Sequence, residues 1–174
     1  MEIRAARDDD FDAITSITNH YIETSTIHFA YEPMTRASFL ELWRGDRARF
    51  PWLVADDAGV VAGYAKAGTW RSRAAYDWTT EVGLYLRPAV RGRGTGRALY
   101  AELLAELARR GFRSAIAGIT LPNEPSLALH RALGFELVGT VRDAGWKHGR
   151  WCDLAFWQKR LATGPEGPPG AAGL

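Results

Sequence analysis

Arg91-Gly92-Arg93-Gly94-Thr95-Gly96 is the stretch of this sequence whose residue types and spacing point most directly to chemistry. Glycine at every second place lets successive backbone N–H groups converge on one point, and Arg91, Arg93 and the adjoining Arg97 surround that point with fixed positive charge. A helix beginning just after the turn would add the positive end of its dipole, giving a site for a phosphate or pyrophosphate. Two common phosphate loops fail the test of spacing. The chain has no Gly-x-x-x-x-Gly-Lys-Ser/Thr, and Gly-x-Gly-x-x-Gly/Ala breaks at its sixth place, which is Arg97 counted from Gly92 and Leu99 counted from Gly94. What remains is a nucleotide-bearing ligand of another kind, with a plain glycine-rich surface turn as the competing reading.

The elements that must hold this turn follow from periodicity and punctuation. Residues 3–6 read as a short strand; Asp8, Asp9 and Asp10 are N-cap candidates for a helix with Phe11, Ile14, Ile17 and Tyr21 on one face. A second helix is expected from the capping Thr35, with Phe39, Leu42 and Trp43 inward and an end before Pro51. Strands at 52–55 and 60–67 flank a polar turn, Asp56-Asp57-Ala58-Gly59, as a hairpin, 70–75 is a loop, and 77–86 is a central strand stopped by Arg87-Pro88. Leu99, Leu103 and Leu107 mark a helix over 97–110 that ends at Gly111; then come a strand at 113–119, a short helix at 126–133 stopped by Gly134, and a strand pair at 135–140 and 151–158. Hairpins mixed with helical crossovers imply an α/β (α+β) fold, a mixed sheet flanked by helices.

The 174 residues, 47% of them apolar, fit one domain, expected over 1–162, and the Gly-, Pro- and Ala-rich segment 163–174 reads as a disordered tail. With 22 basic and 20 acidic side chains the net charge is only +2, which gives no footing for a nucleic-acid partner. Cys152 stands alone, excluding an internal disulfide or a multi-cysteine metal site and fitting a reducing compartment as a buried thiol. Charges in Met1-Glu2-Ile3-Arg4-Ala5 do not suit a signal peptide, and no apolar run reaches the ~18 residues of a membrane span, so a cytoplasmic location without a membrane partner is expected.

Arg91-x-x-Gly94-x-Gly96, between strand and helix, resembles the acetyl-CoA signature Arg/Gln-x-x-Gly-x-Gly/Ala of the GNAT N-acetyltransferases. Leu129-His130-Arg131-Ala132-Leu133-Gly134-Phe135 is similar to that family's Leu-Tyr-x-x-Leu-Gly-Phe, and Asn123-Glu124-Pro125-Ser126 lies where its coenzyme-contacting Asn is found. Asn19-His20-Tyr21-Ile22-Glu23-Thr24-Ser25-Thr26, Tyr76-Asp77-Trp78-Thr79, Gly145-Trp146-Lys147-His148-Gly149 and Phe156-Trp157-Gln158 extend the resemblance, over all but the tail, to the phosphinothricin acetyltransferase subfamily. The resemblance implies a GNAT fold with a mostly antiparallel sheet and acetylation of the α-amine of phosphinothricin, methionine sulfoximine or methionine sulfone. Acetyl-CoA is the implied cosubstrate, with no metal, and a homodimer is implied, for which Trp146, Trp151 and Trp157 offer an apolar patch.

It also implies roles. Leu84, Tyr85 and Leu86 would pair with the pantetheine arm as an added strand does, the N–H near Leu84 would hold the thioester oxygen, and Arg91, Gly92, Arg93, Gly94, Thr95, Gly96 and Arg97 would take the pyrophosphate, with Asn123 and Ser126 as further coenzyme contacts. Glu81 is the candidate base, because an amine must lose a proton before it attacks, and a solvent-facing strand carboxylate is the alternative. His130 stands where the wider family has Tyr, the acid for the departing thiolate; an imidazole can fill that role, can combine base and acid, or can be a packed side chain. Arg71 and Arg73 are placed to clamp a substrate carboxylate, and Phe29, Tyr31, Trp70 and Tyr76 to wall its pocket. Two rivals stay open: a GNAT enzyme for a polyamine, arylamine or protein N-terminus, against whose polyamine form the two arginines argue, and a non-catalytic acyl-CoA binding domain.

Overall fold

The computed structural model describes residues 1–162, so the expected tail at 163–174 lies outside the described residues. Seven strands form one sheet: β1 (Glu2–Ala5), β2 (Trp52–Asp57), β3 (Val60–Thr69), β4 (Thr79–Leu86), β5 (Ser114–Thr120), β6 (Glu136–Lys147) and β7 (Arg150–Arg160). Their spatial order is β1-β2-β3-β4-β5-β7-β6, with β4 and β5 parallel and every other pair antiparallel. The β2–β3 turn is tighter than the four residues expected, because Ala58 and Gly59 both take positive φ (52° and 87°), and such a two-residue turn matches the twist of the strands it joins.

The two-residue period of the strands sorts their side chains between two cores. Tyr64 and Tyr85, cross-strand partners on β3 and β4, face α1 (Phe11–Thr24) and α2 (Arg36–Asp46), where Phe11, Phe39, Trp43 and Trp52 complete an aromatic core. Ala65, Ala67, Val82, Leu84 and Leu86 face the other way, against Leu99, Leu103 and Leu107 of α3 (Thr95–Arg109) and Leu127 of α4 (Glu124–Ala132). Lys66, Glu81 and Gly83 share the α1/α2 side with the tyrosines.

Several boundaries differ from expectation, for local reasons. The aspartates before α1 form a 3₁₀ turn, and Asp10 turns its carboxylate to Arg4 (2.8 Å at each oxygen) and the Arg7 N–H (2.7 Å) rather than capping the helix. Thr35 caps α2 as expected, accepting from the Ser38 N–H at 3.1 Å, but Leu42 is 49% exposed and Leu40 takes the inward place beside Phe39 and Trp43. Helix α3 starts at Thr95, two residues early, because the left-handed Gly94 (φ 81°) ends the loop and Gly96 lies in the first turn. Helix α4 likewise starts at Glu124, where the Asn123 side chain accepts from the Ser126 N–H at 3.3 Å. Strand β6 continues past 140 through register shifts at Leu137/Gly139 and Val141/Gly145, which absorb a stretch that reads as polar turn. β7 meets β5 only through residues 154–160, which leaves Trp151 on the projecting part of the hairpin and puts Trp157, 6% exposed, in the core, so Trp157 is no part of a surface patch.

Candidate active site

The parallel β4–β5 pair holds for three residues only, Thr79, Thr80 and Glu81 against Ser114, Ala115 and Ile116, and then the strands part. The splayed ends, Val82–Leu86 on one side and Ala117–Thr120 on the other, wall a cavity of about 450 Å³. Backbone groups of Val82–Leu86 that would face a β5 partner are thereby left to pair with an extended ligand inserted between the strands. Leu84, Tyr85 and Leu86 all line this cleft, as do Asn123 and Ser126 at the start of α4.

The glycine turn closes one end of the cleft. Gly92 (φ 76°) and Gly94 (φ 81°) are left-handed, a backbone that favours glycine, and a Cβ on either would meet nothing within 4 Å. A Cβ on Gly96 would instead come within 3.2 Å of both Leu84 Cδ2 and Leu86 Cδ1, which explains glycine where α3 crosses β4. Arg91 is positioned rather than free: its Nη2 donates to the Tyr21 hydroxyl at 2.6 Å, its guanidinium lies 5.2 Å from the Tyr21 ring centroid, and the hydroxyl itself donates to the Leu86 carbonyl at 2.6 Å. Arg91, Gly92, Gly94, Gly96 and Arg97 line the cavity, whereas Arg93 is exposed outside it and Thr95 is buried in the first turn of α3. A glycine turn, a helix N-terminus and two cations suit a pyrophosphate, and the open β4 edge suits a pantetheine arm.

His130 borders the same cavity on the α3/α4 side. Its Nδ1 is 2.7 Å from the Ser126 carbonyl, which can only accept, so Nδ1 carries the proton and Nε2 of the neutral ring accepts from the Tyr100 hydroxyl at 3.2 Å. Burial pushes the imidazole below its ordinary pKa, with the Ser126 bond opposing, so the resting ring is neutral near pH 7.

Glu81 opens on the other side of the sheet into a second cavity of about 540 Å³ that shares Ile27, Val82, Gly83, Tyr85, Gly118 and Thr120 with the first. Desolvation raises its carboxyl pKa above the ordinary value, and the positive charges of Lys66 and Arg71 pull against that rise. Phe29 lines this second cavity, with the Gly145 backbone packed so close that a Cβ there would lie 2.7 Å from the ring. Tyr31 instead donates its hydroxyl to the Trp146 carbonyl at 2.5 Å, and Trp70 packs edge-on against Phe156 at 5.5 Å while carrying the Arg71 guanidinium 4.3 Å above its ring. Arg73 and Tyr76 are exposed on the loop before β4, outside both cavities. The geometry thus gathers the coenzyme candidates other than Arg93 and Thr95, together with Glu81, His130 and Phe29, and leaves Tyr31, Trp70, Arg71, Arg73 and Tyr76 at the margin, Arg71 being exposed and lining neither cavity.

Tyr100, Tyr21, His28 and Lys66 were absent from the sequence reading of the site. Tyr100 and Tyr21 sit on helix faces where an aromatic reads as core, and nothing in their spacing distinguishes a hydroxyl that meets a cavity. His28, whose Nδ1 accepts from the Ala30 N–H at 3.1 Å, is held neutral, its pKa pushed down to about 4 by burial and then by the charges of Lys66 and Lys147. Lys66 had a signal: it is the one charged side chain in the ten residues of β3.

Comparison with known proteins gives concordant results. A family model described as an acetyltransferase (GNAT) domain matches residues 3–156. A phosphinothricin N-acetyltransferase of Streptomyces viridochromogenes is 48% identical over 159 residues, covering 91% of this chain and 87% of its own. An L-methionine sulfoximine/L-methionine sulfone acetyltransferase of Salmonella typhimurium is 36% identical over 162 residues, covering 92% of this chain and 95% of its own. The crystal structure of a GNAT superfamily phosphinothricin acetyltransferase from Sinorhizobium meliloti in complex with acetyl-CoA superposes with a TM-score of 0.92 at 38% identity, covering 98% of this chain and 94% of that one.

Proposed function

Because the chain belongs to the GNAT acetyltransferase family, we propose that it is an acetyl-CoA-dependent N-acetyltransferase acting on the α-amine of a small amino-acid-like substrate of the phosphinothricin, methionine sulfoximine or methionine sulfone type. The observation that carries this reading is the meeting of two cavities across one opened strand pair, with an anion-binding turn at the end of one and a desolvated carboxylate in the other.

Acetyl-CoA, when bound, supplies an activated acetyl thioester. Leu84, Tyr85 and Leu86 hold the pantetheine arm along the open edge of β4, and the turn at 91–97 holds the pyrophosphate, which directs the thioester to the shared wall of the two cavities. Glu81, raised in pKa and facing the second cavity, accepts the proton that an ammonium must lose before its nitrogen bonds to the acetyl carbon. His130 and Tyr100 form the imidazole–hydroxyl pair on the coenzyme side, assigned to the second proton: the neutral imidazole takes up the one the nitrogen still carries after bonding to the acetyl carbon, and the pair passes it to the sulfur as the C–S bond breaks. Arg71 is the nearer partner for the substrate α-carboxylate, since its charge already acts on Glu81. No group of three or more metal-ligating side chains occurs among the described residues, and none of these roles calls for a metal.

The assembly proposed is a homodimer formed through the β6–β7 hairpin, whose edge strand exposes Leu137, Val138 and Val141 and whose tip exposes the packed pair Trp146 and Trp151, 5.4 Å apart. The proposed compartment is the cytoplasm, whose reducing conditions suit the free, buried thiol of Cys152. No helix among the described residues is long and apolar enough to cross a membrane.

Thiol release from acetyl-CoA, measured side by side with phosphinothricin, methionine sulfoximine, methionine sulfone, ordinary amino acids and a polyamine, tests the reading. Turnover selective for the first three is expected; turnover of the polyamine alone, or of none, overturns it.

A further inference from the structure

Lys66 stands in the wall of the second cavity with neither a hydrogen bond nor an ion pair to its ammonium among the described residues. The ammonium lies 5.1 Å from the Trp52 ring centroid and 5.5 Å from that of Phe39, faces that favour a cation without neutralising it. Its cross-strand neighbour is Gly83, where a Cβ would come within 4.0 Å of the lysine Cγ and Cε, so the absent side chain leaves the stem uncovered towards the cavity. Glu81 pairs with Gly68, two residues further along β3, which separates the lysine from the carboxylate by one strand repeat of roughly 6.5 Å. Beyond Thr69 the chain leaves β3 and reaches Arg71, whose charge also acts on Glu81.

Lys66 and Glu81 line the cavity and Arg71, exposed, stands outside its lining but near enough for its charge to act on Glu81, so the order from the cavity wall outward is cation, carboxylate, cation. Its complement is a ligand ordered acid, amine, acid. Resting on the acetyltransferase reading above, we infer that Lys66 binds an anionic group at the end of the substrate's side chain, so that the preferred substrates are α-amino acids with a second acid, such as a phosphinate, over those ending in a neutral sulfone. With Arg71 on the α-carboxylate and Glu81 on the amine, the second acid falls to Lys66. Burial depresses the ammonium's pKa while the charge of Glu81 resists, so an arriving anion stabilises a cation that lacks any direct acceptor. A neutral head group leaves that cation unpaired, and a buried charge without a partner is where discrimination between similar ligands is greatest.

The test compares two pairs of probes matched in size and differing in charge, phosphinothricin against methionine sulfone and glutamate against glutamine, in wild type, Lys66→Met and Lys66→Arg, with thermal melting to verify folding. Lys66→Met is expected to lower kcat/KM for the acidic member of each accepted pair by about tenfold or more, with the neutral member within about threefold, and Lys66→Arg to keep the acidic preference. Equal losses for acidic and neutral probes would make Lys66 a counter-ion of Glu81 and overturn the inference while leaving the acetyltransferase reading intact. Wild-type turnover of the neutral probes with no preference for the acidic ones also overturns it. Turnover of none of the four overturns the reading beneath it, and the inference with it.

Discussion

Glu81 and His130 lie on opposite sides of the same strand opening, in different environments that suit the two tasks proposed for them. Glu81 is desolvated but flanked by Lys66 and Arg71, so its pKa is raised yet held back, the condition of a carboxylate that accepts a proton during turnover. An acid whose folded-state pKa is raised must be ionised to act as a base, so kcat/KM is expected to fall, as pH drops, at a higher pH than the ordinary glutamate value of 4.5 would give. Glu81→Gln should abolish that acid limb and lower kcat about 100-fold or more, with acetyl-CoA affinity unchanged by calorimetry. His130 and Tyr100 share one hydrogen bond, so His130→Ala and Tyr100→Phe should each lower kcat, and the double variant should lose no more than the worse single one; full additivity in steady-state rates would show that the two act separately. Glu81 and His130 were legible from their match to a family pattern. Tyr100 was not, because a buried tyrosine beside the leucines of α3 carries no mark of the cavity it meets.

The glycines of the turn at 91–96 serve two different physical ends, and substitution separates them. Gly94 requires its left-handed backbone but has open space around it, whereas Gly96 has helical backbone and no room against Leu84 and Leu86. Gly94→Ala is expected to cost about 1–2 kcal/mol of stability through backbone strain. Gly96→Val, by displacing the two leucines that wall the cleft, should weaken acetyl-CoA binding about tenfold, or 1.4 kcal/mol, in a titration, with a smaller change in kcat at saturation. Element order and type could be read from the chain because leucine spacing, N-caps and glycine stops agree with one another, as in α3 with Leu99, Leu103 and Leu107. Boundaries slipped where a glycine or proline lies inside an element: Gly96 in the first turn of α3, Pro125 in that of α4, Gly139 and Gly145 in β6. In β6, register shifts carry the strand past its glycines, whereas Pro125 falls in the first helical turn, which tolerates proline, behind the Asn123 cap.

At the scale of the molecule, the long β6–β7 hairpin reaches across to the segment after α1 and fixes the floor of the second cavity. Lys147, buried at the end of β6, donates to the Ile22 carbonyl at 2.5 Å and the His28 carbonyl at 2.6 Å; Arg150 donates to the Thr26 hydroxyl at 3.2 Å; and Tyr31 returns a bond to the Trp146 carbonyl. No local pattern reveals this brace, since its partners are more than a hundred residues apart in sequence and all but one of the acceptors named are backbone carbonyls. It makes the hairpin a support for the wall of the second cavity, although of its residues only Leu154 touches that cavity. Lys147→Met keeps the stem and leaves two carbonyls without a donor, which is expected to cost about 2–3 kcal/mol. For a chain of this size that corresponds to a Tm lower by roughly 5–10 °C. Gly145→Ala acts on the same brace without removing a bond: the new methyl would overlap the Phe29 ring, and because the ring forms part of the cavity wall it must swing into the space the substrate uses. KM for the amine should therefore rise several-fold while acetyl-CoA affinity, set on the far side of the sheet, stays at the wild-type value. Equal weakening of both ligands would mean that the hairpin supports the whole fold instead of the one cavity.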